Sequence, residues 1–289
     1  MPKTATVAGK WVSSGEKKPK LGQNFLVDHG AMQRIVAALG DISQKTVLEI
    51  GPGRAALTQM LAPRAGRLIA VELDRVLAAQ LRMQFALYRN VEILEADILQ
   101  VDIPTLLGAA PGPLRDLRPT ELPRAQVVGN LPFYITSDVL LRLFSFAERL
   151  ETMVLMVQLE VGARLAASPG SRDYGLLSAT AQLYARVETL FSLPPTAFEP
   201  APKVYSAVLR MTMAPRFREL QVDETEFLGF LREIFAQKRK TLANNLRPHF
   251  PADAVRQAMV KLRIPPDVRA EALAIEKTAA LYNLLHKPK

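Results

Sequence analysis

The sequence predicts an α/β fold with a doubly wound, mostly parallel sheet, followed by a small domain of helices alone. Short apolar, β-branched runs alternate with helical periodicity up to about residue 213, which is the pattern of parallel strands joined by crossover helices. Beyond that point the strand signals stop, and helical patterns separated by prolines fill the chain. We therefore expect a flexible basic tail over residues 1–19, an α/β domain over 20–213 and a helical domain over 214–289.

The first strand of the expected sheet, residues 46–50, runs directly into Gly51-Pro52-Gly53, and a helix is predicted over residues 54–61. Strand, glycine turn and helix in this order are typical of nucleotide-binding folds, in which glycine lets a ligand approach the backbone. Ala56 stands where dinucleotide enzymes have a third glycine, and no Walker lysine follows. Neither a complete NAD fingerprint nor a P-loop is therefore present.

Acidic residues follow the next two strands, which are predicted over residues 67–71 and 91–94. Glu72 lies 21 positions after Gly51, where such folds meet ribose hydroxyls, and Asp97 follows the third strand. The carboxyl ends of parallel strands form the ligand-binding edge of an open sheet. The elements taken together fit S-adenosylmethionine better than NAD, although either carboxylate alone could be a helix cap or a solvated strand end.

A further buried strand, which follows a proline-rich stretch (residues 108–123) expected to be a surface loop, ends in Asn130-Leu131-Pro132-Phe133. The exocyclic amine of a base is a poor nucleophile because its lone pair is delocalised into the ring. The Asn130 side-chain oxygen and the Leu131 carbonyl can accept both of its hydrogens, while Phe133 stacks on the base and Pro132 fixes the turn. The segment predicts methylation of an amine on an unpaired or flipped-out base, though Asn and Pro also occur in ordinary turns.

These motifs, with Gly22-Gln23-Asn24-Phe25-Leu26 ahead of them, resemble those of the ribosomal RNA adenine N6,N6-dimethyltransferases, and most closely the small-subunit (KsgA-type) branch. The resemblance runs from about residue 20 to the C-terminus and includes residues 198–204 and 237–242. It implies a Rossmann-like class I methyltransferase fold with a seven-stranded sheet, and S-adenosylmethionine as cofactor. The cofactor-binding residues that it implies are Gln23, Asn24, Leu26, Gly51, Gly53, Glu72, Leu73, Asp97, Ile98 and Asn130.

The resemblance also implies the substrate: two adjacent adenines in a loop near the 3′ end of small-subunit ribosomal RNA, dimethylated during ribosome biogenesis. We expect Phe198 to help hold the target base. The expected RNA contacts are Lys203 and, on a helix predicted over residues 225–246 and its end, Lys238, Arg239, Lys240 and Arg247. Leu159 and Tyr205 depart from the family pattern, which usually has a lysine and an aspartate at these positions.

Composition narrows the class of protein further. A net charge of +9 and a pI near 9.8 suit a polyanionic partner. The absence of cysteine excludes disulfides and thiolate zinc sites, and three scattered histidines predict no metal centre. No apolar run reaches the ~18 residues of a membrane span, and no secretion signal is visible, so we expect a cytoplasmic protein, monomeric and without a membrane partner.

Two alternatives remain open at this point. The large-subunit resistance (Erm-type) branch shares Asn-Leu-Pro-Phe, and a protein of this family could act chiefly as a non-catalytic factor in small-subunit assembly. DNA adenine and protein glutamine methyltransferases usually carry Asp-Pro-Pro-Tyr and Asn-Pro-Pro-Tyr, and Leu131 argues against both.

Overall fold

The structure is a computed structural model that describes residues 23–108 and 124–286. The tail expected over residues 1–19, and all of the expected proline-rich loop except its first residue, lie outside the described residues. The predicted domain boundary at residue 213 stays a prediction.

The centre of the molecule is a seven-stranded sheet, as the family resemblance implied. The strands in chain order are β1 (Phe25–Leu26), β2 (Thr46–Ile50), β3 (Arg67–Glu72), β4 (Val91–Glu95), β5 (Ala125–Asn130), β6 (Leu150–Gln158), β7 (Ala185–Leu193), β8 (Phe198–Glu199) and β9 (Ser206–Met213). The sheet has the order β4-β3-β2-β5-β6-β9-β7, parallel from β4 to β6 and antiparallel at β9 and β7. β1 and β8 form a separate two-stranded sheet.

Helices cover both faces of the sheet and fill the C-terminal part. They are α1 (His29–Ala37), α2 (Thr58–Leu61), α3 (Arg75–Gln84), α4 (Ile103–Gly108), α5 (Thr136–Phe144), α6 (Leu159–Leu165), α7 (Leu176–Tyr184), α8 (Phe217–Leu220), α9 (Glu224–Ile234), α10 (Leu242–Leu246), α11 (Ala252–Lys261) and α12 (Ile275–Leu285). The helix predicted over residues 54–61 begins only at Thr58, because Ala55 has a φ of 68° and cannot be part of a right-handed helix.

The prediction of a single helix over residues 225–246 is wrong. The segment forms two helices, α9 and α10, and residues 238–240 lie in the turn between them, while Arg247 follows the end of α10. The side-chain amide of Asn245 donates to the carbonyls of Ile234 (2.7 Å) and Gln237 (3.2 Å), which satisfies carbonyls that the end of α9 leaves free. Thr241 then caps the start of α10.

The inner strands of the sheet, β2, β3, β5, β6 and β9, are buried on both faces, which explains their continuous apolar runs. Alternate residues of one strand belong to different cores: Val127 packs with α4, α5 and the C-terminal helices, and Val128 packs with α1 and α2. Phe227 and Phe230 of α9 extend the first of these cores. The sheet is therefore a rigid support for the loops at its carboxyl edge.

Candidate active site

A pocket lies at the carboxyl ends of β2, β3, β4 and β5, with an empty volume of about 1110 Å³ when its open mouth is included. Every residue predicted to bind the cofactor or to take part in catalysis lines it. These residues are Gln23, Asn24, Leu26, Gly51, Gly53, Glu72, Leu73, Asp97, Ile98, Asn130, Leu131, Pro132 and Phe133. The structure thus brings the predicted residues together, and their individual roles stay predictions.

The glycine turn after β2 forms the floor of the pocket. Gly51 and Gly53 have φ angles of 67° and 58°, which glycine adopts without strain. A Cβ atom at Gly53 would lie 2.9 Å from Cδ1 of the Phe25 ring, and the Arg54 guanidinium lies 4.4 Å from the centre of that ring. The Phe25 ring can therefore pack on the turn only because residue 53 has no side chain.

Glu72, at the end of β3, is 4% exposed and holds two loops in place. Its Oε2 accepts a hydrogen bond from the Gly53 amide (3.0 Å), and its Oε1 accepts one from the Asp74 amide (2.9 Å). Each oxygen of a carboxylate has a second lone pair, so the group can still accept hydrogen bonds from hydroxyls of a ligand. The position fits a ribose-binding residue.

Asp97 follows β4 at the same edge of the sheet. Its Oδ1 accepts a hydrogen bond from the Leu99 amide (2.9 Å), which fixes the orientation of the carboxylate. The Ala96 amide donates to the main-chain carbonyl of Glu72 (3.0 Å), which ties the two loops together. Both carboxylates are thus preorganised at one end of the pocket.

Glu49 also lines the pocket, although the sequence interpretation did not include it among the site residues. It is 1% exposed within β2, and its Oε2 has no hydrogen-bond partner among the described residues. Burial raises the pKa of Glu49 to about 8; Thr58 partly offsets this, and the negative charge of Glu72 adds to it. A carboxylic acid inside an apolar strand was the signal in the sequence that could have identified it.

The catalytic segment begins where β5 ends. The Asn130 side-chain nitrogen donates to the main-chain carbonyl of Asn24 (2.8 Å), and the Leu131 amide donates to the carbonyl of Met156 (3.0 Å). The Leu131 carbonyl accepts no hydrogen bond from residues 23–108 or 124–286. Phe133 is half-buried in the lining. The catalytic segment thus brings the Asn130 amide, the Leu131 carbonyl and the Phe133 ring to one place, and their roles stay predictions.

The turn itself is held by Pro132, whose carbonyl accepts hydrogen bonds from the Ile135 amide and the Thr136 hydroxyl, both at 3.1 Å. The sequence interpretation did not include Phe25, Arg54, Tyr134 or Met156, which also line the pocket. Phe25 belongs to the motif at residues 22–26, so the sequence could have identified it as a pocket residue. Met156 reaches the pocket only through the pairing of β6 with β5, which the sequence does not show.

The residues expected to contact the substrate do not line the pocket as a group, in contrast to those expected to bind the cofactor. Phe198 is 4% exposed, lies opposite Leu26 in the pairing of β1 with β8 and does not line the pocket. Its ring is packed in the core with Leu26, and its expected contact with the target base stays a prediction. Lys203, Lys238, Arg239, Lys240 and Arg247 are all exposed.

The described part of the chain contains neither a membrane-spanning helix nor a metal-binding cluster. No helix there is long and apolar enough to span a membrane. Across residues 23–108 and 124–286, no group of three or more His, Cys, Asp or Glu side chains is placed to hold a metal ion.

Solved structures share this architecture. A dimethyladenosine transferase from Plasmodium falciparum matches with a TM-score of 0.73 at 22% identity, covering 89% of this chain and 95% of the other. The 23S rRNA methyltransferase ErmE matches with a TM-score of 0.67 at 24% identity, covering 91% of this chain and all of the other. At these identities the likeness shows the class I methyltransferase fold and nothing finer.

Sequence relatives are much more similar. A protein of Koribacter versatilis named ribosomal RNA small subunit methyltransferase A is 58% identical over 99% of this chain and 100% of its own length. Proteins with the same name from Acidobacterium capsulatum and Bacillus mycoides are 53% and 39% identical, over 98% and 93% of this chain and 95% and 92% of their own length. The family model described as ribosomal RNA adenine dimethylase matches residues 15–287. Since that match spans nearly all of the sequence, the chain belongs to the ribosomal RNA adenine dimethylase family.

Proposed function

We propose that the protein transfers methyl groups from S-adenosylmethionine to N6 of adenines in small-subunit ribosomal RNA, forming N6,N6-dimethyladenosine. The observation that carries this proposal is the position of Asn130, whose amide nitrogen is fixed on the Asn24 carbonyl beside the available carbonyl of Leu131. The relatives named for the small subunit support that substrate over the large-subunit alternative.

S-Adenosylmethionine is the methyl donor of this family, and the pocket fits it. The turn at Gly51, Pro52 and Gly53 lines the pocket, as expected where a ligand approaches the backbone. In this proposal Glu72 binds the ribose hydroxyls and Asp97 the adenine amine, and Glu49 lines the same pocket. When bound, the donor supplies a methyl group that is already activated on a sulfonium.

What remains for the protein is to orient the nucleophile. The Asn130 Oδ1 atom and the Leu131 carbonyl accept the two hydrogens of the adenine amine, which turns its lone pair out of the plane of the base. Phe133 stacks on the face of the base and keeps it in the pocket. Each transfer leaves a positive charge on the amine, which loses one proton to solvent. After the first transfer a single hydrogen therefore remains, and Phe133 and one acceptor hold the monomethylated base for the second transfer.

The wider context is also part of the proposal. The targets are two adjacent adenines in a loop near the 3′ end of the RNA, within an assembling small subunit. A loop is required because only an unpaired base can enter the pocket. The exposed Lys203, Lys238, Arg239, Lys240 and Arg247 contact RNA phosphates. The protein acts as a cytoplasmic monomer, with the helices after residue 213 as the domain that contacts the ribosome.

Methyl transfer from labelled S-adenosylmethionine to purified, unmethylated small subunits tests the proposal. Large subunits and naked DNA serve as parallel substrates, and Asn130→Ala serves as the inactive variant. We expect label in N6,N6-dimethyladenosine of the small subunit alone, and its loss in the variant. Label in the large subunit would assign the protein to the other branch, and no label with tight subunit binding would leave an assembly factor.

A further inference from the structure

We propose that Tyr205, with Leu159 and Val204, forms a platform on which an unpaired nucleobase flanking the target adenine stacks. The inference rests on the proposed function, because it assigns a second contact of the same RNA strand outside the pocket. None of these three residues lines the pocket.

The platform lies at the carboxyl edge of the sheet, next to the catalytic segment. Asn130 is paired with Met156 of β6, and two residues further along β6 Gln158 is paired with Ser206, the first residue of β9. The next residues outward are Leu159, the first residue of α6, and Tyr205, which immediately precedes β9. Strand geometry places them roughly 10 to 15 Å from Asn130, the length of a few nucleotides.

The two main residues are held side by side by the backbone. The Leu159 amide donates to the main-chain carbonyl of Tyr205 (2.9 Å), which extends the β6–β9 pairing by one bond. Below them Val157 and Ala207 are buried, and α6 packs so closely on β9 that a Cβ at Gly162 would lie 2.7 Å from the Cβ of Ala207. The platform is thus built on rigid elements.

The side chains of the platform are exposed although they are large and apolar. Tyr205 is 52% exposed, Val204 43% and Leu159 42%, and Tyr134 at the mouth of the pocket is 59% exposed. Scattered apolar residues are normal on a protein surface, but three that adjoin one another beside an active site indicate a contact surface.

The occupant is identified by size, shape and charge. An RNA strand that delivers one base to the pocket must continue across this edge, and its neighbouring bases are unpaired in a loop. An aromatic ring with aliphatic neighbours binds the flat face of a base, and stacking of this kind tolerates any base. Exposed Lys203 and Glu160 border the platform, so the apolar area is small, as suits one base rather than a protein. Lys203 can also meet the adjoining phosphate.

A double-mutant cycle between protein and RNA tests the platform. The probe is a fluorescent single-stranded RNA with two adjacent adenines, intact or with an abasic site at each flanking position in turn, bound to the full chain in anisotropy titrations. We expect Tyr205→Ala to weaken binding of the intact RNA about tenfold and Tyr205→Phe to leave it nearly unchanged. One abasic position should cause the same loss and abolish the effect of Tyr205→Ala.

A tyrosine elsewhere on the surface provides the control for Tyr205→Ala. Tyr88→Ala removes a side chain that is 41% exposed and lies beyond the end of α3, and it should change nothing. Melting temperatures verify that Tyr205→Ala folds. Losses that simply add at every abasic position, or an equal loss with Tyr205→Phe, would overturn the platform. If the wild type methylates small subunits while the cycle shows no coupling, the platform alone fails; if it methylates nothing, the proposed function fails.

Discussion

The side-chain amide of Asn130 donates a 2.8 Å hydrogen bond to the main-chain carbonyl of Asn24, 106 positions earlier in the chain. A carbonyl can only accept, so the bond fixes the nitrogen of the amide on Asn24 and leaves the oxygen for a ligand. Asn24 immediately precedes β1, which is held in place by its pairing with β8. The N-terminal motif therefore determines which end of the Asn130 amide faces the substrate.

Asn130→Asp should abolish this orientation with the smallest possible change of shape. A carboxylate oxygen would face the carbonyl oxygen of Asn24, and the side chain would rotate away or become protonated. We expect methyl transfer to small subunits to fall by a factor of about 100 or more, the size usual for losing one aligned group in the transition state. Single-turnover transfer of label measures it.

Asn90→Asp is the matched control for this substitution. The Asn90 amide donates to the main-chain carbonyls of Ala62 (2.9 Å) and Ala65 (2.8 Å), away from the pocket. The variant should lower the melting temperature through the same kind of repulsion, while the activity per folded molecule stays near that of the wild type. Equal activity of Asn130→Asp and the wild type would contradict the role assigned to Asn130.

Gly53→Ala should block the cofactor site by two separate effects. The added Cβ would meet the Phe25 ring at 2.9 Å, and the φ of 58° is unfavourable for alanine. Gly40→Ala separates them, since Gly40 has a φ of 73° with nothing within 4 Å of the new carbon. We expect Gly40→Ala to cost about 1 kcal/mol of stability and leave cofactor affinity unchanged. Gly53→Ala should weaken S-adenosylhomocysteine binding at least tenfold in calorimetric titrations.

Much of the fold was predictable because its signals are local. The strand predicted over residues 46–50 has those bounds in the structure, since apolar β-branched residues and a following glycine turn suffice to define it. The site was predictable for the same reason: in a parallel sheet the carboxyl ends of neighbouring strands meet at one edge, so Gly51, Glu72, Asp97 and Asn130 must come together.

What the sequence could not show depends on contacts between distant parts of the chain. The turn at residues 238–240 is held by hydrogen bonds from Asn245 to the carbonyls of Ile234 and Gln237, which helical periodicity does not reveal. Phe198 is buried because β8 pairs with β1, and that pairing joins Leu26 to a residue far along the sequence. A loop aromatic looks the same in the sequence whether it faces a substrate or the core.

The turn at residues 238–240 should contribute positive charge to RNA binding and should take no part in methyl transfer itself. Lys238, Arg239 and Lys240 are exposed, and the Lys238 Nζ atom donates to the Arg172 carbonyl (2.8 Å), which holds the turn in place. Replacing all three by glutamine should reduce the slope of log Kd against log salt concentration for RNA by about 2. The reason is that binding releases fewer counterions when the protein contacts fewer phosphates. The rate at saturating subunits should hardly change.

A variant with three other cations replaced provides the comparison. Lys261, Arg263 and Lys277 are exposed elsewhere on the C-terminal helices and their connections, and their replacement by glutamine changes the net charge equally. If both triple variants alter the salt dependence to the same extent, only the net charge matters, and the turn has no specific contact with RNA.

Glu49 should make the stability of the protein depend on pH in an unusual direction. Burial raises its pKa from 4.5 to about 8 in the folded protein, whereas in the unfolded chain the carboxyl titrates near 4.5. Between these values the folded state binds more protons, so the contribution of Glu49 is fully present below pH 4.5 and is lost as the pH rises to 8. The loss is on the order of 5 kcal/mol, since each unit of pKa difference corresponds to about 1.4 kcal/mol.

Glu49→Gln removes the titrating group and keeps its shape, so the variant should lose much less stability than the wild type between pH 5.5 and 8.5. Denaturant unfolding at several pH values, without cofactor, measures the difference between the two proteins, in which the titration of all other groups cancels. Glu148→Gln, a substitution of an exposed carboxylate, should follow the wild type. Parallel pH profiles for Glu49→Gln and the wild type would mean that Glu49 is ionised in the folded protein at neutral pH, and that its burial is relieved by water entering the pocket.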